Sequence, residues 1–167
     1  MKKLILYLTV IVFASCTSQS PKPMTDDEKE TIKNEVKSEL NGFIEASTKL
    51  NIDSIIKYFN DSPEFTFVDI NGEINNYEQN KKLYENAVIG AASLKLTTIK
   101  EDIKVLKNDI VLCVWQYSPE IILKDGMKIV YEKAVYTFLF QKIGDVWKII
   151  YGHESGSQPA VTQPEKK

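Results

Sequence analysis

The sequence predicts an α+β domain in which one curved antiparallel sheet is covered on one face by helices. Two observations carry this. Apolar residues recur at helical spacing in the first half of the chain, and the second half alternates with period two over long runs broken by turn signals. The order reads α-α-β-α-β-β-β-β, helices first and then a meander of long strands. A length of 167 residues suits one domain with one core.

The domain opens at Thr25 with the capping-box pattern TDDE, in which Thr25 and Glu28 can each satisfy the other's backbone N–H. Ile32, Val36, Leu40, Phe43, Ile44 and Leu50 then mark one apolar helix face. Asn51 and Asp53 interrupt and re-cap, and Ile55, Ile56 and Phe59 form a shorter helix ended by Asp61-Ser62-Pro63. Glu64 to Asp69 alternates as a strand, with Phe65 and Phe67 on one side. Asn71-Gly72 is a turn, and Asn76 to Gly90 carries a third helical face of Leu83, Tyr84, Ala87 and Val88.

Four strands follow. Leu94 to Leu106 slips in its alternation around Lys100 to Asp102. Ile110 to Leu123 is long and bent near Pro119, because proline cannot donate to the ladder. Lys124-Asp125-Gly126 turns the chain into Lys128 to Lys142, and Ile143-Gly144-Asp145 turns it into Val146 to Ser155. The folded domain is therefore expected over residues 25–157, and the Pro-rich, charged stretch 158–167 reads as a disordered tail.

The N-terminus has a basic start at Lys2 and Lys3, an apolar run from Leu4 to Phe13, and small residues before Cys16. This is the pattern of an export signal, too short to span a bilayer. The Ala14-Ser15-Cys16 ending resembles a bacterial lipoprotein signal, with Phe13 standing where such signals usually carry Leu. The resemblance implies that residues 1–15 are removed and Cys16 is lipidated. Residues 16–24 would then tether the domain to a membrane of the bacterial cell envelope. Removing Lys2 and Lys3 from the 21 basic residues leaves 19 against 23 acidic ones, a formal charge of −4. Anchoring would thus fall to the lipid and not to electrostatics. Cys113 would be the one remaining thiol, and its apolar neighbours read as those of a buried, inert cysteine.

Three stretches resemble the NTF2-like superfamily, in its SnoaL-like or DUF4440 branch. They are IEASTKLNIDSIIKYFNDSPEFTFVD from Ile44 to Asp69, the turn and helix from Asn71 to Gly90, and the ending FLFQKIGDVWKIIYGHES from Phe138 to Ser155. The resemblance covers nearly all of residues 25–157. It implies a cone: a strongly curved antiparallel sheet wrapped around the long N-terminal helix, two further helices, and a pocket at the open end. It also implies frequent homodimerisation through the outer sheet face. Some members are isomerases, cyclases or dehydratases of small hydrophobic substrates, and others are ligand-binding or assembly modules.

Period-two spacing places Trp147, Ile149, Tyr151, His153 and Ser155 on one face of the last strand, and this face is expected to line the cone. His153, the only histidine, is the candidate acid–base residue; its bland alternative is a strand-end hydrogen bond. Asp69 is the second catalytic candidate, because relatives of steroid isomerase type carry an Asp base in that region; otherwise it caps its own turn. Tyr58, Trp115, Tyr117, Tyr131, Trp147, Tyr151 and Ser155 are the candidate ligand contacts, against the alternative of core packing.

The chain contains no Arg, one His, no Gly-rich phosphate loop and no nucleophile elbow. That composition argues against nucleic acid, metal and cofactor chemistry. Three functions stay open: an envelope-anchored module binding a small hydrophobic molecule or a partner protein, a SnoaL-like isomerase, dehydratase or hydrolase using His153, and a structural dimerisation domain. The residues favour the first, since no convincing catalytic set is present.

Overall fold

The computed structural model describes residues 23–164. The signal, Cys16 and most of the tether lie outside the described residues. Helix α1 spans Asp26–Thr48, α2 Ile52–Ile56 and α3 Tyr77–Gly90. Thr25 and Glu28 close the expected capping box on α1. A second box, between Asn76 and Gln79, starts α3. Leu50 takes a left-handed backbone (φ 53°) between α1 and α2, and the Asn51 side chain accepts from Ser54 N–H to restart the helix.

The strands are β1 Thr66–Val68, β2 Ile74–Asn75, β3 Ala91–Lys107, β4 Ile110–Leu123, β5 Lys128–Val130, β6 Ala134–Ile143, β7 Val146–Gly156 and β8 Ala160–Thr162. They form a single sheet in the order β2-β1-β7-β6-β4, with β3 along the other edge of β4 and β5-β8 continuing from the far half of β4. Three expectations are corrected. The sheet is mixed, because β1 runs parallel to β7. The expected strand from Lys128 to Lys142 divides into β5 and β6, because β4 exchanges partners at Pro119: β6 pairs up to Tyr117 and β5 begins at Glu120. The stretch read as a loose tail contains β8, which pairs with β5 from Ala160 to Thr162.

Bulges curve the sheet, each adding an unpaired residue that bends its strand. One falls between Thr98 and Lys100 of β3, beside the slip seen in the sequence. Another lies in β7, where Phe140 pairs with Ile149 and Leu139 with Tyr151, leaving Ile150 as the extra residue. The concave face holds the core. Val36, Leu40 and Phe43 of α1 meet Val111, Cys113 and Trp115 of β4 and Phe138 and Phe140 of β6. These strand residues alternate inward as the period-two pattern requires.

At the start of β7, Trp147 donates its indole N–H to Glu35 of α1 at 2.7 Å. Lys142 donates to the same carboxylate oxygen at 2.8 Å and lies 5.5 Å over the indole ring. These two donors, Lys142 first, hold the Glu35 carboxyl below the usual glutamate range. Trp147 therefore ties the last long strand to the first helix.

Candidate functional site

A cavity of about 250 Å³ opens between α1, α3 and the concave sheet. Its wall is mostly apolar, with Phe43, Leu50, Ile55, Ile70, Leu94 and Ile121 among its residues. One polar cluster interrupts it. Glu154 of β7 faces inward and accepts a hydrogen bond of 2.5 Å from the Tyr117 hydroxyl of β4. Tyr136 of β6 and Tyr84 of α3 share a hydrogen bond at 3.3 Å beside it. Tyr131 completes the set of tyrosines. The rings of Tyr117 and Tyr136 are parallel, 5.3 Å apart, and Trp115 stacks behind Tyr117 at 4.0 Å.

The bulge at Ile150 creates this arrangement. Up to Ile149 the inward residues are Trp147 and Ile149, as the alternation predicts. One extra residue inverts everything after it. Gly152 and Glu154 turn inward, while Tyr151, His153 and Ser155 face out. The expected pocket roles of these three are corrected accordingly: all are exposed on the convex side. His153 pairs in register with Val68 and Thr137 and does not line the cavity.

Other candidates are also relocated. The Asp69 carboxylate accepts from the backbone N–H groups of Asn71 and Glu73, at 2.9 and 3.1 Å, so it organises its own turn and does not line the cavity. Tyr58 packs edge-on against Phe43 at 5.9 Å, outside the cavity wall. Trp115 is fully buried, with its indole N–H on Thr98 Oγ1 at 2.9 Å. Trp147 is the staple to Glu35 described above. Of the seven expected ligand contacts, Tyr117 and Tyr131 line the cavity.

Sequence reasoning missed Glu154, Tyr84, Tyr136 and Ser47 as residues of the cavity. The signal for Glu154 was present in the doubled Ile149-Ile150 and in Gly152, since glycine inside a strand marks a bulge or a close approach. A Cβ on Gly152 would lie 2.6 Å from Phe67 Cδ2 and 3.3 Å from Phe138 Cδ1. Ser47 is 4% exposed, lines the cavity, and its hydroxyl has no partner among the described residues.

Burial raises the Glu154 carboxyl above the ordinary glutamate value of 4.5; the Tyr117 and Tyr136 hydroxyls oppose the rise and Asp69 adds to it. Among the described residues only Tyr117 makes a well-formed hydrogen bond to it, Tyr136 being engaged with Tyr84. Burial, with the Glu154 charge second, also pushes the hydroxyls of Tyr84, Tyr117, Tyr131 and Tyr136 up, so they act as neutral donors. The Cys113 thiol is pushed up to about 12 by burial, which makes it unreactive.

A raised carboxyl has a definite linkage sign. The folded chain holds that proton more tightly than the unfolded chain, so stability falls as pH rises from the unfolded value through the raised folded one. Glu154→Gln removes this penalty. Its melting temperature relative to the parent should therefore climb as pH rises from ~4, the unfolded carboxyl value. The opposite contribution of Glu35 is common to both proteins and cancels. A difference constant with pH would show that the Glu154 carboxyl is solvated.

No family model matches the chain. No curated protein matches it either. Solved structures do. An NTF2-like superfamily protein from Salmonella enterica serovar Typhimurium superposes with a TM-score of 0.69 at 19% identity, covering 77% of this chain and 93% of that one. A hexachlorocyclohexane dehydrochlorinase, LinA-type3, from Novosphingobium barchaimii gives 0.69 at 13% identity, covering 83% and 94%. An NTF2-like protein of unknown function from Shewanella oneidensis gives 0.57 at 23% identity, covering 73% and 97%. The helices, the curved mixed sheet and these likenesses together show that the chain has the NTF2-like fold.

Proposed function

We propose that this protein is a lipid-anchored module of the bacterial cell envelope that binds a small hydrophobic molecule in its cone. The observation that carries the reading is the cavity: about 250 Å³, walled by aliphatic and aromatic side chains, with its polar groups gathered at Glu154 and its tyrosines. Small-molecule sites are built this way, from an apolar wall and a few convergent polar groups. The fold itself selects no activity, since its neighbours include a dehydrochlorinase and a protein of unknown function. The placement of His153 and Asp69 outside the cavity supports binding over the chemistry first considered for them. The anchor rests on the Cys16 signal pattern.

The test is saturable binding of a neutral apolar fluorophore, N-phenyl-1-naphthylamine, to the full chain. One site per chain is expected, with the dye recovered chemically unchanged. Fluorescence that rises linearly without saturation would overturn the binding reading. Cys16→Ser should move the expressed protein from the detergent-soluble membrane fraction to the aqueous one; retention in the membrane would remove the anchor.

A further inference from the structure

The cavity contains a carboxylate without a counter-ion. Glu154 forms no ion pair among the described residues, and no residue lining the cavity is basic. Its described hydrogen-bond partner is the Tyr117 hydroxyl, whereas a carboxylate offers about four acceptor sites. A buried acid in this state is normally paired or neutralised. The walls around it are rings: Phe43, Tyr84, Tyr117, Tyr131 and Tyr136 all line the same space. Aromatic faces are electronegative and attract cations. Ser47 adds a buried hydroxyl from the α1 side, with no partner among the described residues. The carboxylate and the aromatic rings favour positive charge, and no basic side chain lining the cavity supplies it.

We infer that the occupant is an organic cation: a small apolar amine whose ammonium pairs with Glu154 and whose hydrocarbon body fills the cavity. This rests on the binding reading above and specifies its ligand class. An ammonium donates to the free carboxylate oxygen while Tyr117 keeps its own bond. It lies against the tyrosine rings. A neutral alcohol fills the same volume and can hydrogen-bond to the carboxyl, but it leaves the charge uncompensated. A hydrogen bond to a charged group contributes about 1.5–3 kcal/mol, so discrimination of about tenfold or more is expected.

The experiment is isothermal titration calorimetry of the full chain with phenethylamine and with phenethyl alcohol, a pair nearly equal in shape, at neutral pH. The amine should bind about tenfold more tightly or better. In Glu154→Gln the amine should lose this advantage while the alcohol is retained. Equal affinity for the two on the parent chain overturns the inference and leaves the apolar binding site standing. An amine preference that survives in a folded Glu154→Gln protein overturns it as well. Binding of neither compound overturns the inference, and the binding reading then stands or falls on N-phenyl-1-naphthylamine saturation. The comparison on the parent chain does not depend on the variant, so a Glu154→Gln protein that fails to fold does not prevent the decision.

Discussion

Phe43→Ala is expected to cost about 3–5 kcal/mol of folding stability, the range for truncating a buried aromatic. Phe43 is 2% exposed and is the point where the helices meet the sheet. Its ring makes edge-on contacts with Tyr58 and Phe59 of the segment after α2, Tyr84 of α3, and Tyr136 and Phe138 of β6. The centroids lie 5.6–6.3 Å apart. Each edge-to-face pair contributes beyond simple area burial. Removing the ring leaves a void that five fixed rings cannot close, because they belong to elements held by separate hydrogen-bond networks. Since domains have about 5–15 kcal/mol in total, the variant should be marginal. Urea denaturation checks this: the midpoint should fall sharply with little change in slope. A loss below about 1 kcal/mol would mean that the site collapses easily and that the ring is not the hub. Because Phe43 also lines the cavity, the variant should accept bulkier ligands than the parent.

Gly152→Val is the second large effect, and it has the opposite origin. Here the core is already full. The new Cβ would stand 2.6 Å from Phe67 Cδ2 and 2.9 Å from Cε2, closer than such atoms approach in proteins. Phe67 is 3% exposed and Phe138 is fully buried, so neither ring can swing into solvent. Overpacking of this kind costs about 1–3 kcal/mol. The strain also travels, because Phe67 packs on Tyr136 at 6.0 Å and Tyr136 lines the cavity beside Glu154. Gly152→Val should therefore weaken N-phenyl-1-naphthylamine binding as well as stability. A second replacement, Phe67→Leu, should recover part of both. A variant as stable as the parent would show that β1 and β7 can separate at that point without cost.

The helices could be placed from the chain alone because their signals are local. Thr25 and Glu28 cap α1 within one turn, and the apolar face of Val36, Leu40 and Phe43 needs only the helical period. The inward faces of β4 and β6 were equally legible, since Val111, Cys113, Trp115 and Tyr117 follow unbroken alternation, as do Tyr136, Phe138 and Phe140. The slip in β3 was visible because charged residues interrupt its pattern. With these elements the α+β class and the concave core followed. So did two of the tyrosines in the cavity.

The site itself was decided by tertiary structure. One extra residue at Ile150 inverts the end of β7, exchanging His153 for Glu154 at the cavity wall. Alternation specifies a face only while pairing stays in register, and register is a relation between strands distant in the chain. Tyr84 was readable as part of a helix face, but its meeting with Tyr136 depends on how α3 lies over the sheet. The parallel pairing of β1 with β7 and the antiparallel pairing of β8 with β5 join segments whose own composition does not name a partner. Short-range periodicity sets which side chains seek the interior. The packing of bulged, curved strands against the helices sets which of them share a cavity, and so which chemistry that cavity holds.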